Sequence, residues 1–433
     1  MSAETQNMLL SKKPIQTLSK YRTVGGYEGL MKALGMAPAE VIREMTASGL
    51  MGRGGAAFSV GKKWSFVSAA DGKEKLVVCN ADEGEAGTYK DRELLKNSPF
   101  RILEGMTIAA YAVGANHGVL FCRGEYRFLQ PSLSAALEEA RAGGWLGTNV
   151  GGKVGFNFDI ELVGSAGAYI CGEETALLNA IEGKRGEPRN RPPFPANKGL
   201  FGKPTLINNT ETFANVSLIF RIGAQAYAAM GTKKSRGRKL ISIAGQAKNR
   251  GVFEIELGAV TVKDIVYDER FGGGSADGTP IKACHMGGQS AAIVFPEQFF
   301  TPVTYEDAAV AGISIGSGAV VVLDESVCLV DYCRQVMGFF VHESCGKCAP
   351  CRIGTRRIAD MLTDLCEFKA PPGTVDKLEE TAKLLAANPA CGLGKTAPSA
   401  LLSALKYRRS EFEAHERKSC AAGKCGYLGG AGI

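Results

Sequence analysis

The sequence predicts a multidomain α/β protein whose first half is a mostly parallel sheet and whose last third is a helical region holding an inorganic cluster. Three observations lead there. Apolar runs at 76–79 (LVVC), 119–122 (VLFC) and 160–163 (IELV) alternate with helical patterns at 102–113 and 133–142, the order expected of parallel strands joined by crossover helices. The 433 residues are 45% hydrophobic and 22% charged, enough for two or three ordinary cores and without the composition of bulk disorder. Cys345, Cys348 and Cys351 form a CxxCxxC triplet that, with the remote Cys391, matches the ligand set of a four-iron, four-sulfur cluster.

Residues 1–22 are polar and lysine-bearing, without the apolar stretch of a secretory signal, and no run of about 18 uncharged apolar residues follows. The expected location is the cytoplasm, or the cytoplasmic face of a membrane complex, with no insertion by this chain. Residues 39–50 read as a helix leading into Gly52-Arg53-Gly54-Gly55-Ala-Ala-Phe58, whose bare backbone would let N–H groups approach a phosphate, with Arg53 and Lys63 adding charge. The loop resembles GxGxxA but follows a helix rather than a strand, so it is no ordinary dinucleotide fingerprint, and a plain turn is the alternative.

The first strand opens directly into Asn80-Ala-Asp82-Glu83-Gly84-Glu85-Ala-Gly-Thr88. Ligands of parallel sheets bind beyond the carboxyl ends of strands, so these polar groups mark a binding edge. After the third strand, a small-residue loop carrying Tyr169 and Gly172 enters a helix expected to end near Gly183. Its adjacent Glu173 and Glu174 either favour the helix dipole, or one of them accepts from ribose hydroxyls while repelling a 2′-phosphate. Arg189-Asn-Arg191-Pro-Pro-Phe194-Pro is too proline-rich for a helix or central strand. It reads as a rigid loop that either presents Phe194 to a ligand or buries it as an anchor. Ile207-Asn208-Asn209-Thr210 supplies amide and hydroxyl groups suited to a flavin edge or its phosphate, although an Asn pair also signals a turn.

Beyond the cysteine triplet, the apolar spacing of Ile358, Met361, Leu362 and Leu365 predicts a helix that fixes the triplet at its start, where peptide N–H groups stabilise a cluster's negative charge. One tetrahedral zinc is the alternative, but three thiolates two residues apart chelate a single ion poorly, whereas a cubane offers each its own iron. The thirteen cysteines are odd in number and clustered at metal spacing, which fits reduced thiols and a cofactor better than a disulfide framework. The net charge is 51 − 44 = +7, and part of the excess lies at 232–250 without local acidic neighbours. No aromatic residue interleaves there as a base-stacking platform would require, so the segment reads as a solvated surface and not a nucleic-acid site.

In order along 52–413, the segments GRGGAAF, NADEGE, GAYICGEETALLNAIEG, RPPFPA, INNTETFANV and ESCGKCAPCRIG resemble the NADH-binding flavoprotein subunit of respiratory complex I. They equally resemble the diaphorase subunits of NAD-linked hydrogenases and formate dehydrogenases, electron-bifurcating ones included. The resemblance implies a Rossmann-like FMN/NADH domain with a helical lead-in at 1–235, a ubiquitin-like β-grasp domain at 236–325, a helical 4Fe-4S domain at 326–415 and a cysteine-containing tail at 416–433. Strand-like runs at 240–244 and 251–256 and an apolar helix at 262–267 fit the second of these.

By the same resemblance, Gly52, Arg53, Gly54, Gly55, Lys63, Asn80, Asp82, Glu83, Tyr169, Gly172, Glu173, Ile207, Asn208, Asn209 and Thr210 surround FMN. Phe58, Phe66 and Phe194 stack around the adenine of NADH, though any one phenylalanine read alone is as well explained by core packing. Glu85 and Glu174 become the nicotinamide-side and adenosine-side contacts, with Glu174 excluding NADP by charge, and Cys345, Cys348, Cys351 and Cys391 hold the cluster. The implied reaction passes hydride from NADH to FMN and single electrons onward, with no protein acid or base and with Lys63 and Glu85 supporting. The implied partners are a small thioredoxin-like 2Fe-2S subunit and a larger multi-cluster iron-sulfur subunit. In the alternative, the flavin is the bifurcating centre of a soluble complex that couples NADH and ferredoxin, with hydrogenase or formate dehydrogenase subunits. A silent metal-binding structural or nucleic-acid module would leave the NADEGE and GEETAL clusters unexplained.

The tail carries His415, Cys420 and Cys425 ahead of a glycine-rich end. Two cysteines cannot hold a second cubane. They are the start of a truncated ferredoxin-like extension, a pair of free thiols, or part of a zinc site with His415 and an upstream thiol such as Cys328; in the last case the tail is a structural clamp.

Overall fold

The computed structural model describes residues 7–11 and 13–426, which fall into two compact units. Residues 1–6 and 12 of the polar N-terminal stretch and 427–433 of the tail lie outside the described residues. The first unit comprises Met1–Gly84, Tyr89–Ile241 and Val252–Ala259, and the second Glu85–Thr88, Ser242–Gly251 and Val260–Ile433.

The first unit is built on a parallel sheet of β1 (Leu76–Ala81), β2 (His117–Cys122), β3 (Asp159–Gly164) and β4 (Thr205–Asn209), in the order β3-β2-β1-β4. The three strands expected from the apolar runs all form. β4 is the addition: it is the segment whose asparagine pair reads locally as a turn, and its Leu206 and Ile207 are buried. Five residues pairing with a central strand outweigh that local preference, as β-propensity depends mostly on packing context.

Behind the sheet, every residue of the helix Pro99–Val113 is buried, as is the run from Thr210 to Phe220 in the helix Thr210–Ile222. The two approach backbone to backbone, since a Cβ on Gly105 would lie 2.1 Å from the Phe213 carbonyl oxygen. Any side chain at 105 would force them apart. Buried Glu104 ties the helical lead-in to this core by accepting from the Tyr27 and Leu30 N–H groups at 3.1 and 2.9 Å and from the Tyr21 hydroxyl. Burial pushes its carboxyl up.

β5 (Arg238–Gly245) passes from the first unit into the second, with β6 (Gly251–Glu256) beside it. The second unit continues through the helix Val262–Tyr267, β7 (Ile281–Met286), β8 (Ile293–Val294) and β9 (Ala319–Asp324). β5 pairs parallel with β9, and β7 runs antiparallel to both β9 and β8. Among the described residues five helices follow: Leu329–Glu343, Ala349–Cys366, Thr374–Ala387, Gly392–Thr396 and Ser399–Glu416. Among the described residues no helix is long and apolar enough to cross a membrane.

The basic run at 232–250 differs from the solvated surface expected. Lys233 and Lys234 are exposed, but Arg238 and Lys239 are buried. Arg238 pairs with Glu254 at 2.5 Å, Lys239 with Glu211 at 2.6 Å, and Lys248 with Glu269 at 2.9 Å. Their acidic partners come from elsewhere in the chain, which no local window reveals.

Candidate functional site

At the carboxyl ends of β1 and β4, Asn80 and Asn209 stand opposite each other in register. The glycine-rich loop closes over this edge because the Gly52 N–H donates to the Phe58 carbonyl (2.8 Å) and the Val60 N–H to the Leu50 carbonyl (3.0 Å). Gly55 sits at φ 125, a backbone that side chains oppose. A Cβ on Gly54 would lie 3.0 Å from Asn209 Cβ, so loop and strand end meet at contact distance.

Arg53 behaves differently from the expectation that it brings charge to a phosphate. Its guanidinium is fully buried, donating to the Arg236 carbonyl (2.6 Å) and the Tyr227 hydroxyl (3.2 Å), while its backbone N–H donates to Thr212 Oγ1 (2.9 Å). It anchors the loop to the helix behind it. Lys63, one turn into the helix Val60–Ala69, is the half-buried cation at the edge, donating to the Ile207 carbonyl (3.1 Å) and pairing with Glu174 (3.4 Å).

The Asn80 amide donates to the Gly172 carbonyl (2.8 Å), which joins the first motif to the Tyr169–Gly172 turn. Asp82 accepts from the Ser165 hydroxyl at 3.3 Å. Glu83 is buried and accepts from the Asp91 and Arg92 N–H groups (2.9 and 3.1 Å) and the Tyr126 hydroxyl (2.8 Å). Burial and the neighbouring Asp91 push its carboxyl up to about 7.

Asn209 caps the helix Thr210–Ile222 by accepting from the Glu211 N–H (2.9 Å), and its amide donates to Asp91 (2.6 Å). Asp91 is held by Lys90 (2.7 Å), which also reaches Glu211 (3.0 Å). Thr210 is fully buried beneath.

Glu173 takes the dipole role weighed for it, capping the helix Glu174–Ile181 by accepting from the Thr175 and Ala176 N–H groups at 2.9 Å. Glu174 instead pairs with Lys63 and with Arg191 (2.9 Å), and Arg191 also meets Glu173. Phe58, Phe66 and Phe194 are 46%, 55% and 53% exposed, so none is a core anchor. Phe58 and Phe66 lie 6.5 Å apart between ring centroids.

Contacts therefore link Gly54 to Asn209, Asn209 to Asn80 and Asn80 to Gly172, and Glu174 through Lys63 to Ile207, gathering motifs scattered over 52–210 at a single sheet edge. Sequence reasoning missed three residues that hold the side chains of this edge: Asp91 on Asn209, Arg191 on Glu174 and Tyr126 on Glu83. Asp91 follows the NADEGE motif closely enough to be suspected from position alone. Arg191 reads locally as no more than part of a rigid loop, and Tyr126 carries no local signal. In the second unit, the Glu85 carboxylate accepts from the Gln289 N–H (2.6 Å) and the Ser290 hydroxyl.

Also in the second unit, Cys348 is the N-cap residue of Ala349–Cys366 and Cys351 lies in its first turn, as the apolar spacing predicts. Cys391 is the N-cap residue of Gly392–Thr396 and accepts from the Leu393 and Gly394 N–H groups. A Cβ on Gly394 would lie 2.5 Å from Pro389 Cβ and 3.2 Å from Cys351 Cβ, so the short helix packs closely on the Pro389 turn and on the triplet. Burial pushes the Cys351 thiol up, and its neighbours Cys348, Cys391 and Cys345 push the same way. Three thiols at helix starts, with Cys345 in the segment just before them, are a donor set that fits a polynuclear cluster. Among the described residues, the group with ligand atoms all within 4.8 Å of one another is a different one, Cys328, His415, Cys420 and Cys425.

Residues 45–218 match the family described as the Nuo51 FMN-binding domain, and 331–415 match the NADH-ubiquinone oxidoreductase-F iron-sulfur binding region. The chain is 42% identical over 405 residues to the F 2 subunit of NADH-quinone oxidoreductase of Rhizobium meliloti, covering 93% of this chain and 95% of that one. It is 40% identical over 411 residues to the NADP-reducing hydrogenase subunit HndC of Solidesulfovibrio fructosivorans, covering 95% and 83%. A crystal structure of NAD+-reducing NiFe hydrogenase in the H2-reduced state superposes with a TM-score of 0.80 at 34% identity. That match covers 88% of this chain but only 63% of the hydrogenase chain.

Proposed function

The chain belongs to the F-subunit family of NADH-quinone oxidoreductases, and on that premise we propose that the set of motifs at the β1 and β4 ends is its flavin pocket and the exposed phenylalanines its nucleotide platform. It is an NADH-oxidising subunit that binds FMN and a 4Fe-4S cluster. The observation that carries the residue assignment is the convergence on one sheet edge of two contact chains, Gly54–Asn209–Asn80–Gly172 and Glu174–Lys63–Ile207.

Asn80, Asn209, Lys63 and the loop's backbone N–H groups would hold FMN, with Asp82, Glu83, Tyr169, Gly172, Glu173, Ile207, Asn208 and Thr210 shaping its walls. When bound, FMN supplies conversion of a hydride into single electrons. The chain's own residues donate no proton to that step. Lys63 places a cation beside negative charge on the ring, Asp91 orients Asn209, and Glu174 opposes a 2′-phosphate. Phe58, Phe66 and Phe194 give an adenine its stacking faces. Glu85 remains assigned to the nicotinamide side, and Cys345, Cys348, Cys351 and Cys391 to the cluster.

We read 1–235 as the FMN/NADH domain, 236–325 as β-grasp, 326–415 as the cluster domain and 416–433 as a tail. The relatives are subunits of larger assemblies, so partner subunits are expected, and we propose a thioredoxin-like 2Fe-2S subunit and a multi-cluster iron-sulfur subunit, in the cytoplasm. The bifurcating and nucleic-acid alternatives draw no support from the comparisons.

Anaerobic stopped-flow absorbance tests the reading. NADH should bleach the bound flavin while NADPH does so far more slowly, and the iron content should be about four per chain. Absence of bound flavin, or equal rates with the two nucleotides, would overturn it.

A further inference from the structure

We propose that Cys328, His415, Cys420 and Cys425 bind one zinc ion, a metal centre separate from the four-cysteine cluster site, and that this ion fastens the C-terminal tail to the helical region. The four ligand atoms lie within 4.8 Å of one another. Cys328 Sγ is 3.6 Å from Cys425 Sγ and 3.3 Å from His415 Nε2. A tetrahedral zinc with ordinary bond lengths sets sulfur atoms about 3.8 Å apart and sulfur and nitrogen about 3.5 Å apart. Both observed separations are therefore near those of a loaded site, and 3.6 Å is far beyond a disulfide.

The surroundings are those of a metal site. His415 Nδ1 lies 2.7 Å from the Glu411 carbonyl, which fixes its proton there and leaves the Nε2 lone pair facing Cys328. Cys328 is the N-cap residue of the helix Leu329–Glu343, whose N-terminal N–H groups favour a thiolate. Cys420 receives the backbone N–H groups of Lys424 and Cys425. Three of the four residues are buried. The ring of Phe368 lies 5.9 Å from His415, and the Gly426 N–H donates to the Cys366 carbonyl at 2.8 Å, which holds the tail in place. Three thiolates and one imidazole close a tetrahedron, the arrangement of a structural rather than a catalytic zinc. Three thiolates on a dication leave one negative charge, which Arg417, Lys418 and Lys424 in the same segment offset.

The test is metal analysis of the full chain purified with its flavin and iron. The expected result is about one zinc per chain alongside the iron, lost in the double variant Cys420→Ser/Cys425→Ser while flavin and iron stay unchanged. Protein grown with cobalt should show sulfur-to-cobalt charge transfer and the d–d bands of a tetrahedral thiolate site, which decides the matter from the wild type alone if the variant fails to fold. Zinc near zero in protein with full flavin and iron, zinc retained by the variant, no cobalt bands, or a mass about 2 Da low from a disulfide would each overturn the proposal.

Discussion

Glu211 lies directly after Thr210 in the helix behind the β1 and β4 ends, fully buried between Lys239 at 2.6 Å and Lys90 at 3.0 Å, and it also accepts from the Leu240 N–H at 2.8 Å. Burial pushes its carboxyl up, but Lys239, Lys90 and Arg53 outweigh that and hold it below the usual range. Glu211→Gln removes the charge and keeps the shape. Breaking a buried pair while its partner stays charged costs about 3–5 kcal/mol. Lys239 has an escape, because burial, against the pull of Glu211, has already brought its amine down to about 8. Giving up that proton at neutral pH costs only about 1.4 kcal/mol. With a further ~1 kcal/mol for the weakened bond to Lys90, the expected destabilisation is about 2–3 kcal/mol.

The sign with pH follows from proton counting. A lysine whose folded pKa is lowered is protonated when unfolded and neutral when folded, so stability rises with pH between the folded and unfolded values. In the variant that rise should already be under way at neutral pH, about 1.4 kcal/mol per unit, whereas in the wild type it begins only above about 8. Part of the loss should therefore be regained by about pH 9. Both tryptophans, Trp64 and Trp145, lie in the first unit, so urea unfolding followed by tryptophan emission reports on it. A variant within about 0.5 kcal/mol of wild type at neutral pH, or a loss that does not shrink toward alkaline pH, would refute the reasoning.

Glu174→Gln should raise the ratio of NADPH to NADH kcat/KM by about tenfold, since it removes a negative charge and one of the two carboxylates that hold Arg191; steady-state kinetics with both nucleotides would show an unchanged ratio if Glu174 has no such role. Cys391→Ser should remove the cluster's low-temperature EPR signal and about four irons per chain while leaving FMN in place, and full iron retention would exclude Cys391 as a ligand. Because burial and Asp91 raise the Glu83 carboxyl to about 7, the stability it contributes at acid pH should be lost as pH rises through that value. Glu83→Gln should flatten that part of the thermal-midpoint profile between about pH 5 and pH 8.5, and an unaltered profile would show that Glu83 does not titrate there.

Much of this protein is legible without coordinates, and for a physical reason in each case. Strands at 76–79, 119–122 and 160–163 and the helix following Cys348 announce themselves through local periodicity. The four thiols proposed for the cluster announce themselves through spacing. Glycines at 54 and 394 mark close approaches, though only the fold shows that Asn209 and Cys351 are what they approach. β4 is not legible, because its pairing with β1 outweighs what Asn208-Asn209 prefers alone. Arg53 misleads for the same kind of reason: an arginine in a glycine loop reads as a ligand contact, and only Tyr227 and the Arg236 carbonyl turn it inward.

The sequence by itself determined most element types and the cofactor classes, and it supplied the motifs from which the site is proposed, because these depend on side-chain chemistry and short-range spacing. Tertiary structure alone decided which charges are neutralised and by whom. Lys239 meets Glu211 across 28 residues, Arg191 joins Glu174 across a proline loop, and Cys328 reaches His415 across 87. Such pairings depend on how distant segments close on one another, which local spacing does not encode.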